Sequence, residues 1–89
     1  LTEAEVQITN RLGLHARAAA RFVHLANLFQ ARIVVSKGTT RVDGKSILGL
    51  LTLAAAKGAR IRLAADGEDE KKALKALKKL IGDRFGEES

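Results

Sequence analysis

Ala4-Glu5-Val6-Gln7-Ile8 alternates small or apolar side chains with polar ones, the period of a strand with one buried face. Asn10-Arg11-Leu12-Gly13 reads as a turn, and Leu14 leads into His15. From Ala16 to about Gln30 the chain is rich in Ala and Leu and has no breaker, which predicts a helix. Ala19, Val23, Ala26 and Phe29 fall on one face of it, and Arg17, Arg21 and His24 on another. Ala31 to Lys37 is β-rich, with Ile33 and Val35 on one side and Arg32, Val34 and Ser36 on the other. Lys37-Gly38 marks a tight turn, and Thr39 to Val42 returns as the second strand of a hairpin that Asp43-Gly44 ends.

Ser46 is a preferred N-cap for a helix from Ile47 to about Ala56. Leu50, Leu53 and Ala54 supply its core face. Ile47, Leu48 and Leu51 share a different face, which so small a domain cannot easily bury. Gly49 interrupts this helix at a cost of about 1 kcal/mol relative to Ala, and Lys57-Gly58 reads as its C-cap. Ala59 to Ala65 alternates again, with Ile61, Leu63 and Ala65 inward and Arg60 and Arg62 outward. Asp66-Gly67 is a turn. Glu68-Asp69-Glu70 brings negative charge to a helix start, where the dipole favours it. The last helix runs from Lys71 to about Phe85. Leu74, Leu77 and Ile81 form its buried stripe with Ala73 and Leu80, and Lys71, Lys72, Lys75, Lys78 and Lys79 face water. Glu87-Glu88-Ser89 reads as a loose tail.

The order is β-α-β-β-α-β-α, an α+β chain. Its economical solution is two layers: a mostly antiparallel four-stranded sheet with helices covering one side. The 89 residues suffice for one domain, 1–89, and not for two. Cysteine is absent, which excludes disulfides, thiolate metal sites and cysteine nucleophiles. No apolar run approaches the roughly 20 residues needed to span a bilayer, and no secretory signal precedes the first strand. A reducing compartment is allowed, and a chain that does not insert in membranes is expected. The net charge of +6 favours acidic partners. With only Phe22, Phe29 and Phe85 as aromatics, the chain lacks the stacking platforms of a single-stranded nucleic-acid binder.

Candidate chemistry concentrates at Gly13-Leu14-His15-Ala16-Arg17. His15 falls where the loop after the first strand meets a helix, whose free N–H groups and positive dipole end favour an anion. It is a weaker N-cap than Ser, Thr, Asp or Asn would be. Imidazole can form a covalent intermediate, and the arginine fork suits phosphate oxygens. A nucleophile beside an anion site is what a transient phosphoryl carrier needs. The competing reading makes His15 a surface histidine and Arg17 a solvated one. His24 has no metal-ligand spacing around it, and neither a metal nor a cofactor is expected.

Three stretches, Gly13-Leu14-His15-Ala16-Arg17, Lys45-Ser46-Ile47-Leu48-Gly49-Leu50-Leu51 and Gly67-Glu68-Asp69-Glu70, stand in an order that resembles the HPr family. These are the histidine-containing phosphocarriers of the bacterial phosphoenolpyruvate-dependent sugar phosphotransferase system. The resemblance covers nearly the whole chain. It implies an open-faced β-sandwich, an antiparallel four-stranded sheet with three helices on one face. It implies that His15 accepts a phosphoryl group on Nδ1 from enzyme I and passes it to the A domains of sugar-specific enzymes II, without independent turnover. By the same resemblance Arg17 is the active-site arginine, with the backbone of Ala16 and Arg17 at the phosphate. Ser46 matches a serine that a kinase phosphorylates in some bacteria, which would bring in HPr kinase/phosphorylase and a transcriptional regulator. Ile47, Leu48 and Leu51 match the apolar patch that docks on partner proteins in the family, and the resemblance implies that with Arg17, Ala20 and Arg21 they form the partner surface of a monomer. The family usually has proline after the arginine; here it is Ala18, which keeps helix propensity and gives up a preset φ. Two rivals remain: a regulatory binding module acting through Ser46, and a small basic nucleic-acid binder, which steep salt dependence would reveal.

Overall fold

Period-2 alternation and helical stripes sort the chain into seven main elements in a computed structural model that describes residues 1–89. They are β1 (Thr2–Gln7), α1 (Ala16–Ala26), β2 (Arg32–Lys37), β3 (Thr40–Asp43), α2 (Ile47–Thr52), β4 (Arg60–Asp66) and α3 (Glu70–Gly82). A 3-10 turn, Arg84–Gly86, follows. The strands form one sheet in the order β1-β4-β2-β3, and every neighbouring pair is antiparallel. This is the expected open-faced sandwich.

The topology explains why one face stays open. β1 and β2 run the same way and straddle β4; β3 and β4 run the same way and straddle β2. A half-turn about the sheet normal carries one crossover onto the other. Right-handed crossovers, the strongly preferred hand, therefore put α1 and α2 on the same face. α1 packs on both α2 and α3, and α3 lies against β1 and β4.

Burial follows from position in the sheet. The central strands supply Ile33, Val35, Ile61, Leu63 and Ala65, all buried. On edge strands the inward residues Ala4, Val6 and Val42 are only half-buried. Outward on β1, Glu3 and Glu5 put charge along an edge that would otherwise invite a further strand. Helix α1 buries Ala18, Ala19, Phe22, Val23 and Ala26; its small residues let it pack beside α2 and α3 around Phe22. Helix α3 buries Ala73, Leu74, Leu77 and Ile81 and leaves all five lysines exposed, as its stripe predicts.

Several boundaries differ from the sequence reading. β1 begins at Thr2, two residues early, and Ile8 is buried beyond its end. Helix α1 stops at Ala26 and not near Gln30. Residues 28 and 29 tighten into i→i−3 bonds, Leu28 N–H to Leu25 O and Phe29 N–H to Ala26 O. The Asp69 carboxylate then takes the N–H groups of Gln30 and Ala31 at 2.8 Å each, so this aspartate caps the end of another segment and not its own helix. The Lys45 ammonium donates to Phe29 O at 2.7 Å. Helix α2 likewise ends at Thr52 and not at Ala56, because Ala54 turns to φ 50. Lys37 Nζ donates to the carbonyls of Leu53 and Ala54 there. Ala54 is exposed, and Ala55 takes the buried place expected of it. Lys57-Gly58 is therefore no helix cap; the Gly58 N–H reaches back to Ile8 O at 2.7 Å. Helix α3 ends at Gly82, short of Phe85.

The start of α3 carries a pH prediction. Glu70 accepts from the Thr2 hydroxyl, from the Leu1 amino group and from the Gly67 N–H. With Thr2 the largest influence, these hold its carboxyl down at about 2. A depressed folded-state value contributes stability that is fully present above the ordinary carboxylate range and is lost as pH falls towards 2. Glu70→Gln is thus expected to flatten the fall in thermal midpoint between about pH 4.5 and pH 2 relative to wild type. Parallel melting curves of the two proteins across that window would refute it.

Candidate functional site

The segment that delivers His15 is tied down before the helix starts. Asn10 is fully buried, and its Nδ2 donates to Gly13 O at 2.7 Å. The Gly13 N–H returns to Asn10 O at 3.1 Å. Gly13 sits at φ +67, and an added Cβ would meet Ala55 O at 2.5 Å and Ala56 Cα at 2.8 Å. The next N–H, of Leu14, donates to Ala55 O at 2.8 Å while the Leu14 side chain enters the core. The loop after β1 is therefore laced to the residues that follow α2.

His15 then takes the N-cap position of α1 in an extended conformation, φ −78 and ψ 178, and its ring makes no capping bond. Its carbonyl accepts from the Ala19 N–H at 2.8 Å. The N–H groups of Ala16, Arg17 and Ala18 open the helix with no intrahelical acceptor, an arrangement that suits an anion. Ala18, where the resembling family has proline, is fully buried.

The ring is held from the other end of the chain. Glu87 Oε2 lies 2.5 Å from His15 Nε2, and Glu87 Oε1 accepts from Asn10 Nδ2 at 3.0 Å. The expected loose tail is thus wrong at Glu87. Phe85, fully buried, anchors the turn that carries it, and the Arg21 guanidinium donates to Phe85 O. The Asn10 hydrogen bond first, and the His15 contact second, hold the Glu87 carboxyl below its ordinary value against the opposing effect of burial. It is an anion at neutral pH.

Of the other candidate residues, Ala16, Arg17 and Ala20 are exposed on α1, and Arg17 takes part in no ion pair. Arg21 is exposed but already committed to the C-terminal turn. Ser46 caps α2, its Oγ accepting from the Gly49 N–H at 3.0 Å. On α2, which packs beside α1, Leu48 is 77% exposed and Ile47 40%. Leu51 is half-buried and packs on the core, so it offers a flank where the sequence suggested a full side chain. No group of three or more His, Asp or Glu residues could hold a metal ion.

Sequence reasoning missed Asn10 and Glu87. The available signal for Glu87 was Phe85-Gly86 after a lysine-rich helix, an aromatic that has to be buried and so pins whatever follows it. For Asn10 it was the turn itself, where Asn bonds to backbone two or three residues on. The assembled site presents a partly exposed imidazole, Nε2 occupied and Nδ1 unpartnered, at the uncapped mouth of a helix beside an unpaired arginine.

Comparison with known proteins agrees with this picture. The family described as PTS HPr component phosphorylation site matches residues 2–83. Phosphocarrier protein HPr of Neisseria meningitidis serogroup A is 48% identical over 87 residues, covering 98% of each chain; that of Xylella fastidiosa strain Temecula1 is 44% identical over the full length of both. The crystal structure of HPr from Thermoanaerobacter tengcongensis superposes with a TM-score of 0.96 at 44% identity, covering all of both chains. Bacillus subtilis Crh, a catabolite repression protein seen as a swapped dimer, gives 0.77 at 37% identity over 94% of this chain and 97% of its own. With its fold, its helix-mouth histidine and these relatives in agreement, this chain belongs to the HPr family of phosphocarrier proteins of the phosphotransferase system, which relay phosphoryl groups without turning over alone.

Proposed function

We propose that this chain accepts a phosphoryl group on His15 Nδ1 from phosphorylated enzyme I, charged by phosphoenolpyruvate, and delivers it to the A domains of sugar-specific enzymes II in the cytoplasm. The observation that carries the reading is the ring itself: a quarter-exposed imidazole whose Nε2 is engaged and whose Nδ1 has no partner, at an uncapped helix start. The Nδ1 lone pair attacks phosphorus as the donor's bond to phosphorus breaks. Arg17 holds the transferring oxygens, and the N–H groups of Ala16 and Arg17 receive the charge that accumulates on them. No metal is required on this chain for that step.

Recognition rests on an apolar centre of Ile47 and Leu48, flanked by Leu51, with Ala20 and the basic Arg17 and Arg21 around it. An acidic, concave partner face fits it. Ser46 would add regulation: a phosphate there sits beside the apolar centre and repels that face, while remaining tolerable at a helix N-terminus. An HPr kinase/phosphorylase and a transcriptional regulator are the partners this branch implies. The working unit is taken as a monomer, although dimers are known for Thermoanaerobacter tengcongensis HPr and Bacillus subtilis Crh.

The test is a transfer assay with phosphoenolpyruvate, Mg²⁺ and a bacterial enzyme I. Wild type and Ser46→Ala are expected to carry acid-labile, alkali-stable phosphate, and His15→Ala none. Label on His15→Ala, or none on wild type beside a control HPr that labels normally, would remove the carrier reading.

A further inference from the structure

We propose that Glu87 is a positioning residue for phosphoryl transfer: its carboxylate keeps the imidazole proton of His15 on Nε2, so that the nucleophilic lone pair stays on Nδ1. This rests on the reading of His15 as the phosphoryl acceptor. Glu87 lies beyond residues 2–83, the part of the chain matched to the family.

The contact differs from an ordinary surface ion pair. Both ends are largely shielded, with 25% of the His15 side chain and 15% of the Glu87 side chain exposed. Each carboxylate oxygen has its own donor, Oε1 from Asn10 Nδ2 and Oε2 from His15 Nε2. Asn10 is itself locked, because the same Nδ2 also donates to Gly13 O inside a fully buried site. That pair of acceptors settles which end of the amide faces Glu87. The backbone on the other side is equally constrained: Gly86 N–H to Asp83 O at 3.0 Å, Glu87 N–H to Arg84 O at 2.9 Å, Phe85 in the core and Arg21 on Phe85 O. The carboxylate is an anion at neutral pH, and an anion at this distance can only accept. Nε2 is then the donor, and a neutral imidazole with its proton on Nε2 has its lone pair on Nδ1.

The balance of the step is simple. The Nδ1–P bond forms while the donor's bond to phosphorus breaks, and that electron pair stays with the donor. The ring now carries phosphorus on Nδ1 and the original proton on Nε2, and its positive charge faces the Glu87 carboxylate. On delivery the Nδ1–P bond breaks, its electron pair returns to Nδ1, and the same proton is still on Nε2. No proton has to move in either direction. The device is the carboxylate–histidine pairing that fixes ring tautomer elsewhere in protein chemistry.

The experiment combines tautomer and kinetics in Glu87→Ala, Glu87→Gln and Glu87→Asp. Two-bond ¹⁵N–¹H correlations of the His15 ring, recorded at about pH 8.5 where a reference imidazole is neutral, are expected to show the Nε2–H form in wild type. In Glu87→Ala a mixture of both tautomers is expected. Transfer from phosphorylated enzyme I should fall about tenfold in kcat with KM unchanged, the size usual for losing such a supporting partner; Glu87→Asp should recover part of it. Glu87→Gln keeps the volume of the side chain and serves if the alanine variant unfolds. An unchanged tautomer and rate in both Glu87→Ala and Glu87→Gln would overturn the proposal, as would a loss confined to KM, which would make Glu87 a partner contact. A wild-type protein that takes no label overturns the carrier reading itself, and the spectrum then decides the ring geometry separately.

Discussion

Gly13→Ala is expected to lower the thermal midpoint by roughly 10 °C or more and, on the proposed carrier role of His15, to slow phosphoryl transfer by more than the loss of folded protein accounts for. Two effects add. At φ +67 an L side chain sits in the left-handed region, at roughly 1–2 kcal/mol. The new Cβ would also press on backbone atoms, Ala55 O at 2.5 Å and Ala56 Cα at 2.8 Å. Backbone cannot swing aside as a side-chain tip can, so relief requires the two segments to part, and overpacking of this kind typically costs about 1–3 kcal/mol. Together they remove at least about 2 kcal/mol from a domain whose total is on the order of 5–15 kcal/mol. The functional loss follows because parting the segments strains the Leu14 N–H bond to Ala55 O, the last tie before His15. Thermal melting and transfer rate, measured on the folded fraction, check the two halves. A midpoint within 2 °C or so of wild type would mean that the loop relaxes freely.

Phe85→Ala is expected to destabilise the protein by about 3–5 kcal/mol and, unlike other core truncations of similar size, to disturb the His15 ring. Phe85 is 1% exposed, at φ 57, in a turn that touches both α1 and α3. Arg84 before it is also at positive φ. Burial of the aromatic ring is the largest apolar gain that offsets the cost of two consecutive non-glycine residues in that region, beside the hydrogen bonds of the turn. Without the ring the turn has little reason to persist, and Glu87 leaves with it. Phe22→Ala in α1 is the control: comparable burial, no tail attached. Urea unfolding measures the stability of both variants, and the His15 ring resonances separate them. If both variants shift the ring alike, or neither does, the tail is not what holds it.

What could be read from the residues alone depended on how locally each feature is decided. β4 was legible because Arg60 to Leu63 alternates strictly and its inward residues are buried in the sheet centre. α3 was legible because its stripe is clean and lysines mark the rest. The helix ends at Ala26 and Thr52 were not, since they are set by groups remote in sequence: Asp69 across 39 residues from Gln30, and Lys37 across 16 from Leu53. Propensity in Ala-rich segments gave no hint of those partners. The candidate site divides in the same way. His15 and Arg17 announce themselves by type and spacing beside a helix start. Asn10 and Glu87 stand 77 residues apart, and nothing in either neighbourhood signals the other.

The anchored C-terminal turn has a practical consequence for handling the protein. Ser89 is only two residues past Glu87, so a purification tag, fluorophore or fusion partner joined there departs from beside the His15 ring. The opposite end leaves from elsewhere: the amino group of Leu1 lies 2.9 Å from Glu70, at the start of α3. Attachment at Leu1 therefore keeps a support away from the His15 ring, whereas attachment at Ser89 brings it close.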